Sequence, residues 1–149
     1  MIKEQDHLMK GAIANAVING IINGVIYWFQ VKGSDSVLLT DNLISSDKHT
    51  VFSGAVVLAT SLAFILSSIA YFTVKKDGKP SYFPTVFWQA VKNAVFAFGI
   101  VTIIGILIQR FMGSIEVSTT VATIITGLIA GAVGGIVDYL TKKNLYEAK

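Results

Sequence analysis

Three asparagines recur at every fourth residue of an apolar segment near the start of the chain. Asn15, Asn19 and Asn23 lie within residues 11–29, a run that is otherwise apolar and long enough to cross a bilayer as a helix. Their spacing places the three amides on one helical face. Because an amide in hydrocarbon needs a hydrogen-bond partner or water, this face is expected to point away from lipid, toward another helix or into a hydrated path.

Small residues repeat with the same spacing in two segments. In the first segment, Ala12, Ala16, Gly20 and Gly24 run about 100° round the helix from the asparagines. In the last apolar segment, glycines repeat every four residues. Such patterns are typical of closely packed membrane helices, within one subunit or between subunits. The residues predicted to mediate helix packing are Ala16, Gly20, Gly24, Gly127, Gly131 and Gly135.

Two ionisable residues, Lys92 and Asp138, are placed inside apolar segments at similar depth. A charge at the bilayer centre costs about 2.5 to 3.5 kcal/mol, so such groups pair, reach the surface or serve a function. One interpretation is an ion pair or a cation-sensitive group, with Gln89, Asn93 and Asn15 nearby. The other is that Lys92 snorkels to the surface and Asp138 belongs to the interface.

The sequence shows no catalytic set. It contains no cysteine, which excludes disulfides and thiolate chemistry, and its two histidines, His7 and His49, are placed near the ends of apolar segments. No nucleophile with its base, no cluster with metal-ligand spacing and no phosphate-binding loop is visible. The sequence therefore predicts a protein that is not an enzyme and that holds neither a metal nor a cofactor.

Composition places the chain among integral membrane proteins. Of its 149 residues, 53% are hydrophobic and only 14% are charged, far below the charge content of soluble domains. We predict one all-α domain over 1–149, a bundle of four transmembrane helices. The expected spans are about 10–30, 51–74, 84–108 and 117–140, with an outer loop at 31–50.

The basic residues predict the orientation. Eight lysines fall on the side of the two termini and of the loop between spans 2 and 3, against three basic residues on the other side. By the positive-inside rule, both termini face the cytoplasm of a bacterial cell, across its inner membrane. Because these residues cluster at span ends, the sequence pI near 9.2 does not indicate a nucleic-acid partner.

The outer loop is too apolar for a flexible linker, with Val37, Leu38 and Leu39 followed by Leu43 and Ile44. One interpretation is a short helix resting on the membrane surface or on the bundle, capped by Asp41 or Asn42. The other is a lid over an outer vestibule.

The two halves of the chain resemble each other weakly. The matching segments are 12–17 with 90–95, 33–37 with 113–117, and 71–75 with 139–143. The match places Asn15 opposite Asn93. A duplication would give two parallel-repeat helical hairpins, while chance similarity between apolar segments is the alternative.

Four segments, 15–24, 39–44, 79–84 and 135–141, resemble those of small four-span bacterial membrane proteins that are loosely labelled permeases. The resemblance implies transport without implying a substrate or site residues.

The sequence thus favours a small permease or channel-like protein. An ion or small polar solute would pass along Asn15, Asn19 and Asn23, with Asn93 and Gln89 at the inner side. The alternative is a non-transporting scaffold or accessory subunit, in which the amides and glycines only bind helices together. The expected partners are the lipid bilayer, further copies of this chain and such an ion or solute.

Overall fold

Four long helices make up most of the protein. The computed structural model describes residues 2–41 and 49–147, with side chains from residue 5 onward, and is 81% helical. The helices are α1 (Ile2–Val31), α2 (Val51–Thr73), α3 (Phe87–Met112) and α4 (Thr119–Glu147). Each is long and apolar enough to cross a membrane. The predicted all-α, four-span architecture is confirmed, and the chain is a multi-pass membrane protein.

Local sequence signals explain where α2 begins and where α3 ends. Thr50 and Ser53 form a capping box at the start of α2, in which the Ser53 amide donates to the Thr50 hydroxyl at 3.1 Å and the Thr50 amide donates to the Ser53 hydroxyl at 2.9 Å. Helix α3 ends at Gly113, whose φ of 72° lies in the left-handed region that glycine tolerates. Pro84, where span 3 was predicted to begin, lies in a short π-helical turn (Tyr82–Val86) that precedes α3.

The predicted short helix in the outer loop is wrong where the structure describes it. Residues Ser36–Thr40 form a strand, β1, which pairs antiparallel with a second strand, β2 (Ile115–Ser118). β-Branched and apolar residues suit either a strand or a surface helix, and the partner strand, which is distant in sequence, decides for the strand. The Asp41 carboxylate accepts a hydrogen bond from the Ser114 hydroxyl at 3.0 Å. Asn42, Leu43 and Ile44 lie outside the described residues.

The chain order helix, strand, helix occurs twice, and the packing follows a two-fold pattern. Helices α2 and α4 pack on each other at the centre, α1 packs on α4, and α3 packs on α2. Val37 pairs with Val117 in the strand ribbon, and these are the two residues that the repeat alignment matches. The first helix of each half therefore packs on the second helix of the other half. This differs from the predicted hairpins, whose two helices would pack on each other, and the duplication itself stays a prediction.

The core is built from small side chains. On α2, Ala55, Ala59 and Ala63 are fully buried, and they join Ala97 of α3 and Ala122 of α4 in one cluster. Small side chains let helices approach closely in a membrane, where dispersion contacts replace the hydrophobic driving force of water. Large apolar side chains instead cover the outer faces of the helices, as a lipid-facing surface requires.

Lysines close the helix ends opposite the strand ribbon. The Lys76 ammonium donates to the carbonyls of Leu145 and Tyr146 at 3.0 and 2.9 Å, near the end of α4. The Lys79 ammonium donates to the carbonyls of Tyr71 and Val74 at the end of α2, both at 3.0 Å. Cations stabilise the partial negative charge of helix C-termini. We call this end of the bundle the basic end and the opposite end the ribbon end.

Candidate functional site

Helix α1 packs on α4 through direct backbone contact. A Cβ atom built on Gly127 would lie 2.9 Å from the Gly20 carbonyl oxygen, and one built on Gly131 would lie 2.8 Å from the Ala16 oxygen. Real Cβ atoms do not approach so closely, so these positions exclude any side chain. We call this contact the glycine seam. It contains every residue that the sequence analysis predicted for helix packing: Ala16, Gly20, Gly24, Gly127, Gly131 and Gly135.

The three asparagines flank the glycine seam and are half-buried. The Asn19 side-chain amide donates to the Asn15 carbonyl at 2.8 Å, and the Asn23 amide donates to the Asn19 carbonyl at 2.9 Å. The Asn19 amide nitrogen also lies 3.0 Å from the position of a Cβ atom built on Gly134. Two of the three amides therefore satisfy donors within their own helix, and Asn19 is packed against α4.

A groove of about 670 Å³ opens along the glycine seam. Its lining is apolar and small, including Gly20 and Gly24 of α1 and Gly127 and Leu128 of α4. A hydrated path for an ion needs polar groups that replace the hydration shell. The surface along this groove has the character of a helix or lipid contact instead.

The structure does not join Lys92 and Asp138 in an ion pair, which was one of the two interpretations, because Asp138 pairs within its own helix. The Lys142 ammonium lies 2.8 and 2.9 Å from the two Asp138 carboxylate oxygens, and the Asp138 side chain is only 6% exposed. Lys92 is exposed on α3. The physical reason is reach: residues four apart on one helix are neighbours, whereas α3 and α4 make few contacts.

The Asp138–Lys142 pair belongs to the glycine seam at the basic end. The Lys142 ammonium lies 3.9 Å from a Cβ atom built on Gly11, and Gly134 contacts Asn19 two turns further along. Asn15 lies between these two contacts, one turn from Gly11 on α1. The pair and the first asparagine therefore share one region of the seam.

Asn93 forms a second polar cluster, at the place where α3 meets α2 and α4. Its amide donates to the Ser67 hydroxyl of α2 at 2.9 Å and to the Thr141 hydroxyl of α4 at 3.3 Å, while its oxygen accepts from the Gln89 amide at 3.0 Å. Asn93, Ser67 and Thr141 are buried. The Asn93 side chain thus connects three helices. The sequence analysis placed this residue on a solute path, whereas the structure shows it bonded between helices.

The sequence analysis did not identify Lys142, Gly134, Ser67 or Thr141 as site residues. Lys142 follows Asp138 by four residues, a spacing that indicates an ion pair on one helix. Ser67 carried a weaker signal, since Ser53, Thr60 and Ser67 are spaced by seven. For Thr141 the sequence offers no signal, because its role depends on where α3 lies.

Within the described residues, no three His, Asp or Glu side chains gather into a potential metal site. The comparisons with known proteins found no match: no family model, no curated protein and no solved structure is significantly similar to this chain. The resemblance to permease-like proteins therefore stays a prediction, and the function is argued from the geometry.

Proposed function

We propose that the protein is a non-transporting membrane scaffold or accessory subunit that works through helix packing. We call Asn15, Asn19 and Asn23 the asparagine stripe, and its hydrogen bonds carry this proposal. Asn19 and Asn23 donate to carbonyls of α1, and Asn19 contacts Gly134. These two amides are committed to their own helix, and Asn19 packs against a glycine of α4. They do not present a row of donors to a passing solute.

The environment of the stripe supports the same proposal. The groove along the glycine seam is apolar, and Asn93 is held by Ser67, Thr141 and Gln89. The buried Asp138 carboxylate pairs with the Lys142 ammonium at 2.8 Å. Asn19, Asn23, Asn93 and Asp138, which all suggested transport, thus have partners within the protein.

Transport is the second candidate, because one observation favours it. All three asparagines retain partial exposure, and Asn15 lies one turn from Gly11, which the Lys142 ammonium approaches. A shallow polar surface of this kind could conduct an ion or a small polar solute if a second copy of the chain completed it. Assembly with further copies is part of both proposals.

Flux measurements in liposomes distinguish the two candidates. The purified full-length protein is reconstituted and tested with potassium, sodium, chloride and proton gradients and with a neutral solute such as glycerol. We expect rates equal to those of protein-free liposomes, with a known channel reconstituted in parallel to show that each assay responds. Flux above background that disappears in Asn19→Leu, with the fold intact, would establish transport and overturn the scaffold proposal.

We also propose, from the lysine distribution, that the basic end faces the cytoplasm of a bacterial cell and that the protein resides in the inner membrane. Because the chain has no cysteine of its own, labelling of a single introduced cysteine shows on which side of the membrane that position lies. Ser36→Cys on the ribbon is expected to react with an impermeant maleimide in intact cells, and Gly78→Cys only after permeabilisation. Labelling of Gly78→Cys in intact cells would reverse the orientation.

A further inference from the structure

Helices α3 and α4 make few contacts and leave a lateral cleft between them, with a volume of about 160 Å³. Apolar side chains line its walls, among them Phe96 and Ile100 of α3 and Ile136 and Leu140 of α4, while Asn93 lies at one end. The cleft is thus an apolar slot with a polar end.

The length of the slot matches one leaflet of a bilayer. Its lining extends from Asn93 to Ile104 on α3 and from Ile129 to Leu140 on α4. At 1.5 Å per residue, either stretch is about 16 Å long. The hydrocarbon core of a bilayer is about 30 Å thick, so the slot spans roughly half of it. An acyl chain from the leaflet at the basic end has the matching length and chemistry.

A second, smaller cavity of about 100 Å³ lies nearer the basic end. Its lining is more polar and includes Thr85 and Gln89 on one side and Thr141 and Asn144 on the other. Gln89 donates to Asn93, which lies at the end of the slot, so one hydrogen bond joins the linings of the two cavities. Hydroxyl and amide groups at this place suit the glycerol and ester groups of a lipid.

Two lysines extend the faces that line the slot. Lys92 lies one turn before Phe96 on α3, and Lys143 lies one turn after Leu140 on α4, both toward the basic end. Lys92 is exposed, and Lys143 makes a long contact of 3.9 Å with the exposed carboxylate of Glu147. The mouth of the slot is therefore flanked by one ammonium group from each helix, which is complementary to an anionic headgroup.

We propose that the α3–α4 cleft is a binding site for one anionic phospholipid. One acyl chain occupies the apolar slot, the ester region contacts Gln89 and Asn144, and Lys92 and Lys143 bind the headgroup phosphate. The site gives the exposed Lys92 ammonium an anionic partner, since the Asp138 carboxylate of α4 pairs with Lys142. The proposal does not depend on whether the protein is a scaffold or a transporter.

Native mass spectrometry on the full-length protein tests the headgroup contact. The protein is released from micelles that contain equal amounts of phosphatidylglycerol and phosphatidylcholine, and the retained lipids are counted. We expect one phosphatidylglycerol to be retained in preference to phosphatidylcholine. Lys92→Gln and Lys143→Gln are each expected to weaken this retention roughly fivefold, the equivalent of about 1 kcal/mol per basic residue near an anionic surface. The matched control is Lys32→Gln with Arg110→Gln at the ribbon end, which leaves the preference unchanged.

A second pair of variants tests the acyl slot. Ile100→Trp fills the slot, whereas Ile103→Trp adds the same bulk to the exposed face of α3 outside it. We expect Ile100→Trp to reduce retention of both lipids and Ile103→Trp to reduce neither. Leu140→Trp fills the slot from α4 and serves if Ile100→Trp fails to fold. The proposal would be overturned if the parent retained the two lipids equally, or if the ribbon-end control lost as much retention as the Lys92 and Lys143 variants. Full lipid retention in the slot-filling variants would also overturn it.

Discussion

The two outer helices occupy equivalent places in the fold, yet they are held in different ways. Helix α1 lies on α4 through the glycine seam, where backbone meets backbone. Helix α3 lies on α2 in a core of alanine side chains, and Asn93 adds a hydrogen bond to Ser67 across that seam. The repeat alignment shows how the two outer helices differ in sequence. Asn15 of α1 matches Asn93 of α3, but Asn19 and Asn23 of α1 match the apolar residues Ala97 and Val101 of α3.

The difference indicates what each seam depends on. A glycine seam derives its stability from close approach, so it loses most of its contacts when a single side chain separates the backbones. The seam between α2 and α3 has small side chains that can adjust and a polar bond between helices. We therefore expect α1 to be the more easily detached helix, and α3 to depend on Asn93.

The largest effect is expected from Gly131→Leu in the glycine seam. A Cβ atom at this position would lie 2.8 Å from the Ala16 carbonyl oxygen, so α1 must move away. We expect a destabilisation of about 3 kcal/mol or more, the upper range for overpacking. The measurement is thermal unfolding in detergent, together with a cross-link between Asn19→Cys and Gly134→Cys, which adjoin in the seam.

The control for this substitution is Leu128→Ile, which changes the shape of an exposed side chain on the same helix and is expected to leave both readouts unchanged. If Gly131→Leu unfolds and cross-links like the parent, α1 is not held by the glycine seam.

The next effect concerns the Asp138–Lys142 ion pair at the basic end of the glycine seam. Lys142→Ala leaves the Asp138 carboxylate buried without its cation, and we expect a cost of about 2 to 3 kcal/mol, reduced by the partial exposure of Lys142. The double variant Asp138→Ala with Lys142→Ala is expected to cost less than the sum of the single changes. In the corresponding cycle of Asp138→Ala with Lys92→Ala, we expect the two losses of stability to be additive. A coupling energy in that cycle would support a Lys92–Asp138 pair.

Asn93 and Asn15 allow a matched comparison of the two seams. Asn93→Ala removes bonds to Ser67, Thr141 and Gln89, and we expect a loss of about 2 kcal/mol, within the range for leaving buried polar groups unpaired. Asn15→Ala at the matched position is expected to cost less than about 0.5 kcal/mol. Equal losses in chemical unfolding would mean that the seams are held alike.

Small effects are also expected from Asn19→Ala and Asn23→Ala. Their amides donate to carbonyls of α1, so each substitution removes a bond within one helix and leaves the glycine contacts in place. Polar contacts between membrane helices average about 0.6 kcal/mol, and we expect losses no larger than that. Losses above about 2 kcal/mol would show that the stripe bonds to α4 or to a second copy.

Much of the architecture could be predicted because hydrocarbon imposes it. Helix α2 covers 51–73, close to the predicted 51–74, since a span is defined by continuous apolar residues. Helix α1 extends back to Ile2 rather than residue 10, because a helix can continue into water beyond its apolar part. The loop at 36–40 was predicted as helix, since its apolar residues suit both structures and β2 is distant in sequence.

The sequence by itself determined the membrane class, the four spans and the residues able to pack closely, because these follow from hydropathy and side-chain size along one helix. Only the tertiary structure decided which helix each seam joins. It placed Asp138 with Lys142 and Asn93 with Ser67 and Thr141, and it left a cleft between α3 and α4. The physical reason is that helical periodicity specifies a face, whereas a partner depends on how the helices are arranged around the central α2–α4 pair.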